Sequence, residues 1–82
     1  MSAPGTRRIV DSRGSFCPGP ITDLFKAYRT ASIGDEIELW ATDPAAKPDV
    51  EAWVARSGNQ LVEAVQDGDH LKLVVRIVKK GR

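Results

Sequence analysis

Cys17 is the only cysteine in this 82-residue chain, and it is followed by Pro18-Gly19-Pro20 and then by a stretch with helical periodicity. The first turn of a helix presents backbone N–H groups without intrahelical partners and the positive end of the dipole. A thiol held there gives up its proton more easily, and the thiolate is the form that attacks sulfur. Pro18 and Pro20 fix the local backbone where a missing N–H does no harm. A lone cysteine is also commonly a small buried apolar residue with no chemistry. Pro18, Gly19 and Pro20 form a turn, and turns lie at the surface. Both readings stay open on spacing alone, and the turn favours the reactive one. Phe16 is a candidate anchor for that turn.

The rest of the composition narrows the chemistry. A single cysteine forms no disulfide within the chain, and with one histidine, His70, there is no ligand spacing for a metal and no cofactor motif. Met1 to Thr6 contains no long apolar run, so no signal peptide is expected. No stretch reaches the length of a membrane span, so no membrane insertion is expected. A free thiol without an export signal points to the reducing cytoplasm. Twelve Lys and Arg are offset by eleven Asp and Glu, leaving a net charge of +1. They are spread along the chain, and no direct nucleic-acid binding is expected.

The elements that must position the thiol follow from periodicity. Arg8 to Asp11 is a short strand, and Ser12 to Phe16 is the loop leading to Cys17. Ile21, Leu24, Phe25 and Tyr28 share one helical face, with Thr22, Asp23, Lys26 and Arg29 on the other. Gly34-Asp35 closes that unit. Glu36 to Thr42 alternates, with Ile37, Leu39 and Ala41 on one side and Glu38 and Trp40 on the other. Asp43 to Lys47 is a loop, Pro48 opens a second helix with Val50, Trp53 and Val54 as its stripe, and Gly58 stops it. Gln60 to Gln66 and His70 to Lys79 are strands joined by the Asp67-Gly68-Asp69 turn. Leu71, Leu73, Val75 and Ile77 give the last strand an apolar side, and Lys72, Val74, Arg76 and Val78 a mixed one.

Two helices cover only one face of a four-stranded sheet. The expected fold is therefore α+β, a two-layer sandwich in the order βαβαββ, with a mixed sheet and both helices on one face. Trp40, Val74 and Arg76 are expected on the open face. The whole chain, 1–82, reads as one domain, ordered from about 7 to 80, with fraying ends.

The run Asp11-Ser12-Arg13-Gly14-Ser15-Phe16-Cys17-Pro18-Gly19-Pro20 resembles the D-x-x-G-x-x-C-P-x-P signature of the TusA-like (SirA-like) sulfur-carrier family. Gly34-Asp35 resembles the family's turn before the second strand, and Asp43-Pro44 with Asp49-Val50 resembles its spacing ahead of the second helix. The likeness runs from about Ile9 to Lys80. It implies the βαβαββ sandwich and a Cys17 that accepts a sulfane sulfur as a persulfide. It further implies relay of that sulfur from a protein donor, a cysteine desulfurase or a rhodanese-like protein, to a protein acceptor. The destinations it implies are tRNA thiolation or sulfur-compound metabolism and oxidation. Gly19 departs from the Glu that several members carry there, which removes a negative charge beside the thiol and leaves the pathway open.

One thiol suffices for such a carrier and is too few for a dithiol reductase. Around it, Asp11 is expected to cap loop amides and Gly14 to serve a backbone angle that a side chain would hinder. Arg13 is either a nearby positive charge or, as the default, a solvated loop residue. Lys26 and Arg29 are either a docking surface for an acidic partner or a solubilising helix face. Trp53 is expected in the core and Trp40 packed against long charged neighbours. His70 is expected to be exposed and is assigned no role. The alternative to a carrier is a noncatalytic regulatory or interaction module of the same fold. RNA binding rests on analogy of fold alone.

Overall fold

The computed structural model describes residues 7–14 and 19–80. Cys17 and its neighbours Ser15, Phe16 and Pro18 lie outside the described residues. Six elements follow one another: β1 (Arg7–Ser12), α1 (Gly19–Thr30), β2 (Glu36–Ala41), α2 (Ala46–Ser57), β3 (Gln60–Asp67) and β4 (His70–Arg76). They form a four-stranded sheet in the order β1-β2-β4-β3. β1 runs parallel to β2, and the other two pairs are antiparallel. This is the expected βαβαββ mixed sheet with two helices.

The strand alternation decides which face takes the helices. Ile37, Leu39 and Ala41 of β2 and Leu73 and Val75 of β4 are fully buried, together with Leu24 of α1 and Val50 of α2. Removing an aliphatic side chain of this size from water stabilises the fold by about 1.5–3 kcal/mol. The helix stripes are narrower than their periodicity indicates. Phe25 is 47% exposed and lies at the edge of the α1 face, against Tyr28. Trp53 packs against the core as expected but stays half-buried, meeting Tyr28 edge-on at the groove between the helices. No helix among the described residues is long and apolar enough to cross a membrane.

Several boundaries differ from the sequence reading, each for a local reason. β1 begins at Arg7 and reaches Ser12, which is buried and donates its hydroxyl to Asp23 of α1 at 2.7 Å. α2 opens at Ala46, two residues before Pro48, because Asp43 builds its start. The Asp43 carboxylate accepts the Ala45 N–H at 3.0 Å, and its carbonyl accepts the Ala46 N–H at 3.0 Å. Pro48 is tolerated because amides of the first turn have no intrahelical acceptor. Gly58, at φ 83°, ends α2 in the left-handed conformation and donates its N–H to the Val54 carbonyl.

β4 ends at Arg76 rather than Lys79. Beyond it, Ile77 leaves the ladder and exchanges backbone bonds with the turn before β2, donating to the Asp35 carbonyl and accepting from Gly34. The Asn59 side-chain oxygen then accepts the N–H groups of Val78 and Lys79, both at 2.9 Å. The β3–β4 hairpin closes through Gly68-Asp69, with Gly68 at φ 64°. That is the conformation glycine adopts without steric cost at the first position of a two-residue hairpin loop.

The sheet face away from the helices is not the bare surface the pattern suggested. Val74 is fully buried there. Its cross-strand neighbours are Glu38 and Glu63. Arg7 and Trp40 hold Glu38, and Lys72 holds Glu63. Held in this way, the long side chains close over the valine.

Candidate functional site

The segment that carries Cys17 leaves β1 and enters α1, so its placement depends on what fixes those two ends. At the β1 end, the Ser12–Asp23 hydrogen bond ties the last strand residue to the second turn of α1. Asp11 accepts the Arg13 backbone N–H at 3.1 Å. The same carboxylate takes Nε and Nη2 of Arg13, each at 2.8 Å. Gly14, at φ 84°, donates its N–H to the Thr42 hydroxyl at 2.8 Å, just beyond β2. A Cβ on Gly14 would meet nothing within 4 Å, so its backbone angle and not crowding sets the requirement for glycine.

Arg13 is exposed, as its default reading has it, but it is not a free charge. Its guanidinium is paired with Asp11 and lies 5.1 Å from the centre of the Trp40 ring. On Trp40, the indole N–H donates to Glu38 at 2.6 Å, and the ring packs against His70 at 5.1 Å. His70 is therefore not exposed as expected: its side chain retains 12% of its accessible surface. Its Nδ1 lies 3.3 Å from the Asp69 carboxylate. Its buried Nε2 is 4.0 Å from Asp67, too long for a hydrogen bond. The stack Arg13–Trp40–His70 thus braces the loop from the open face of the sheet. Register could have revealed it, since Trp40 faces Lys72 and His70 lies two residues away on the same strand face. The Gly14–Thr42 and Ser12–Asp23 bonds carry no sequence signal beyond polar residues at element ends.

The electrostatics follow from these pairs. The Arg13 side chain, then its backbone N–H, holds the Asp11 carboxyl well below its ordinary 3.8, at about 2. Farther along the open face, Arg7 and then Arg76 hold the Glu36 carboxyl below its usual range. At the α1 end, Gly19 and Pro20 are the first residues of the helix, and its first turn contains no acidic residue. Nothing in that turn offsets the positive end of the helix. Lys26 and Arg29 are both exposed on α1. Arg29 also lines the groove between the helices, where Lys26 does not take part.

Comparison with known proteins adds family context to this geometry. A family model described as sulfurtransferase TusA matches residues 8–77. The sulfur carrier protein TusA of Allochromatium vinosum is 30% identical over 67 residues, covering 82% of this chain and 88% of the relative. The protein of the same description in Pseudomonas aeruginosa is 30% identical over 59 residues, covering 72% of this chain and 75% of the relative. A small protein of Archaeoglobus fulgidus is 34% identical over 71 residues, covering 87% of this chain and 97% of its own length.

Proposed function

Because the chain belongs to the TusA family of sulfur carrier proteins, we propose that Cys17 is the residue that carries the sulfur. The single observation that supports this is its position: the only thiol of the chain stands two residues before the first residue of α1. In the reaction, the Cys17 thiolate attacks the terminal sulfur of a donor persulfide. A Cys17 S–S bond forms, the donor S–S bond breaks, and the donor sulfur leaves as thiolate. The second step mirrors the first, with an acceptor thiolate taking the terminal sulfur and Cys17 leaving as thiolate. No net oxidation occurs in either step, so no further redox partner is required.

The residues around the loop have positioning roles in this reading. Asp11, Arg13, Gly14 and Thr42 fix where the loop leaves the sheet, and Ser12 and Asp23 fix its distance from α1. Because Asp11 neutralises Arg13, the helix start is the main source of positive potential for the thiolate. Donor and acceptor are proteins, the donor a cysteine desulfurase or a rhodanese-like protein, and the setting is the cytoplasm. The sulfur goes to tRNA thiolation or to sulfur-compound metabolism.

The test is to incubate the protein with a small sulfane-sulfur donor and follow its intact mass. A gain of one sulfur atom on Cys17, reversed by a thiol reductant and missing in Cys17→Ser, is the expected result. A variant that retains the added sulfur, or a wild type that never gains it, would falsify the assignment. Cys17→Ser should keep the fold, since the change conserves size and the thiol makes no disulfide.

A further inference from the structure

The charged residues of this protein are distributed unevenly between its two faces. On the open sheet, Arg7 and Arg76 share Glu36, Lys72 pairs with Glu63, and Arg13 pairs with Asp11. On the helix side, an open cleft of about 600 Å³ lies between the C-terminal halves of α1 and α2. Phe25, Tyr28 and Trp53 supply its aromatic surface, and Arg29, Arg56 and Lys79 stand around it. Among the described residues, no acidic residue lines it. Among the described residues, the side chains of Arg29, Arg56 and Lys79 form no ion pair. Lys80 also borders the cleft, but its ammonium is committed to the α1 terminus, donating to the Ala31 carbonyl at 2.6 Å and the Arg29 carbonyl at 3.2 Å. With a net charge of only +1 overall, gathering these cations in one place leaves the remainder of the chain net negative.

The aromatic surface is preformed. Tyr28 and Trp53 meet edge-on at 5.1 Å, and the Tyr28 hydroxyl donates to the Lys79 carbonyl. Phe25 lies 6.1 Å from Tyr28 and stays 47% exposed. Fixed aromatic side chains beside uncompensated cations match a ligand with an apolar group flanked by spaced negative charges. A phosphate cluster fits less well, because both helices direct their carbonyl ends toward this cleft and those repel concentrated negative charge. Spaced carboxylates on a polypeptide place one charge near each cation and keep clear of the carbonyls.

We propose that this cleft docks an acidic segment of the protein that exchanges sulfur with Cys17, with an aromatic side chain of that segment seated on Tyr28 and Trp53 and its carboxylates on Arg29, Arg56 and Lys79. The proposal rests on the carrier reading for the identity of the partner. The geometry is consistent with one partner reaching both places. α1 is 12 residues long. At a rise of about 1.5 Å per residue the helix spans about 18 Å. A standard interface of about 800 Å² per partner covers that distance.

The test uses a defined probe, the blocked peptide Glu-Asp-Phe-Asp-Glu. Two controls accompany it, one with Ala in place of Phe and one with Lys in place of every acid. The two tryptophans report from opposite faces, Trp53 in the cleft and Trp40 on the open sheet. In a nitrogen–proton correlation titration, the Trp53 indole and the Tyr28 amide should shift with the acidic peptide while the Trp40 indole stays in place. Removing Phe, reversing the peptide charges or adding salt should each weaken binding. The double variant Arg29→Glu/Arg56→Glu should weaken it by about tenfold or more. Both residues are exposed, so the fold should survive, which the same spectra report.

The proposal is overturned if the shifts fall outside the cleft or the basic peptide binds as well. It is equally overturned if a short single-stranded RNA binds the cleft more tightly than the acidic peptide. Persulfide loading of Cys17 from a small donor is measured on the same double variant and should match wild type. Loading that fails in the wild type, with the peptide still seated in the cleft, sinks the carrier reading and spares the cleft. Normal loading with an empty cleft does the reverse.

Discussion

The Asp11 carboxylate takes both Nε and Nη2 of Arg13, each at 2.8 Å, so the basic residue nearest Cys17 in the upstream sequence arrives already neutralised. The consequence concerns the thiol. If the start of α1 activates Cys17, its pKa should fall below the roughly 8.5 of a free cysteine. Removing both partners in Asp11→Asn/Arg13→Ala should then change it by less than about 0.5, because a compensated surface pair projects little field. Thiolate absorbance against pH measures both values. A large rise on losing the pair would move the source of activation from the helix to the arginine.

The same pair makes stability depend on acid. Asp11 titrates at about 2 in the folded protein against its ordinary 3.8, mainly through the Arg13 side chain. A carboxyl whose folded value is depressed contributes stability that is complete above its unfolded value. That contribution is lost as pH falls through its folded value. The window is therefore from about pH 4 down to about pH 2, and Glu36, lowered by Arg7 and Arg76, acts in the same direction. Urea midpoints measured across that range should fall with acid in wild type and fall less steeply in Asp11→Asn. Because Asp11 is exposed, the difference should be small and should shrink further in salt. Equal slopes for the two proteins would mean the pair contributes nothing to folding.

Val74 offers a sharper test of packing. It is fully buried on the face that lacks helices, beneath Glu38 and Glu63, whereas Val78 is 37% exposed. Val74→Ala should destabilise by about 1–3 kcal/mol, the range for deleting buried methyl groups with partial collapse of the site. Val78→Ala should cost less than about 0.5 kcal/mol, as expected for a surface position. Chemical denaturation of the two variants decides the matter. Equal losses would show that the charged side chains over Val74 do not form a closed layer in solution.

These residues mark how far sequence could be read. The apolar alternation of Ile37, Leu39 and Ala41 and of Leu73, Val75 and Ile77 is repeated in the burial pattern because strand period and helix coverage together select one face. Val74 breaks that logic. Its burial comes from its cross-strand neighbours Glu38 and Glu63, held by Arg7 and Lys72, residues that read individually as solvent-facing. Phe25 deviates in the opposite sense, since a helical stripe is wider than the contact that a short helix makes with a twisted sheet. Around the candidate site, Asp11 and Gly14 were legible because turn chemistry is local. The Gly14–Thr42 bond and the Trp40–His70 contact join residues far apart in the chain, and only strand register brings them together.

Thr42 provides the last test, because it links the loop before Cys17 to the end of β2. Its hydroxyl accepts the Gly14 N–H at 2.8 Å at an exposed position. Thr42→Val keeps the shape and removes the acceptor, and water can replace it, so global stability should fall by no more than about 1 kcal/mol. The local effect should be clearer. An opening made easier by up to about 1 kcal/mol accelerates exchange of the Gly14 amide by about two- to fivefold, while amides in the middle of β2 and β4 keep their rates. A loop held less firmly presents the thiol to a protein partner in the reactive orientation for a smaller fraction of the time. Transfer to a protein acceptor should therefore slow, and reaction with a small alkylating reagent, which needs no docking, should stay near the wild-type rate. Unchanged Gly14 exchange in Thr42→Val would show that the hydroxyl does not hold the loop. Faster exchange with unaltered protein-to-protein transfer would show that the loop is held for stability alone.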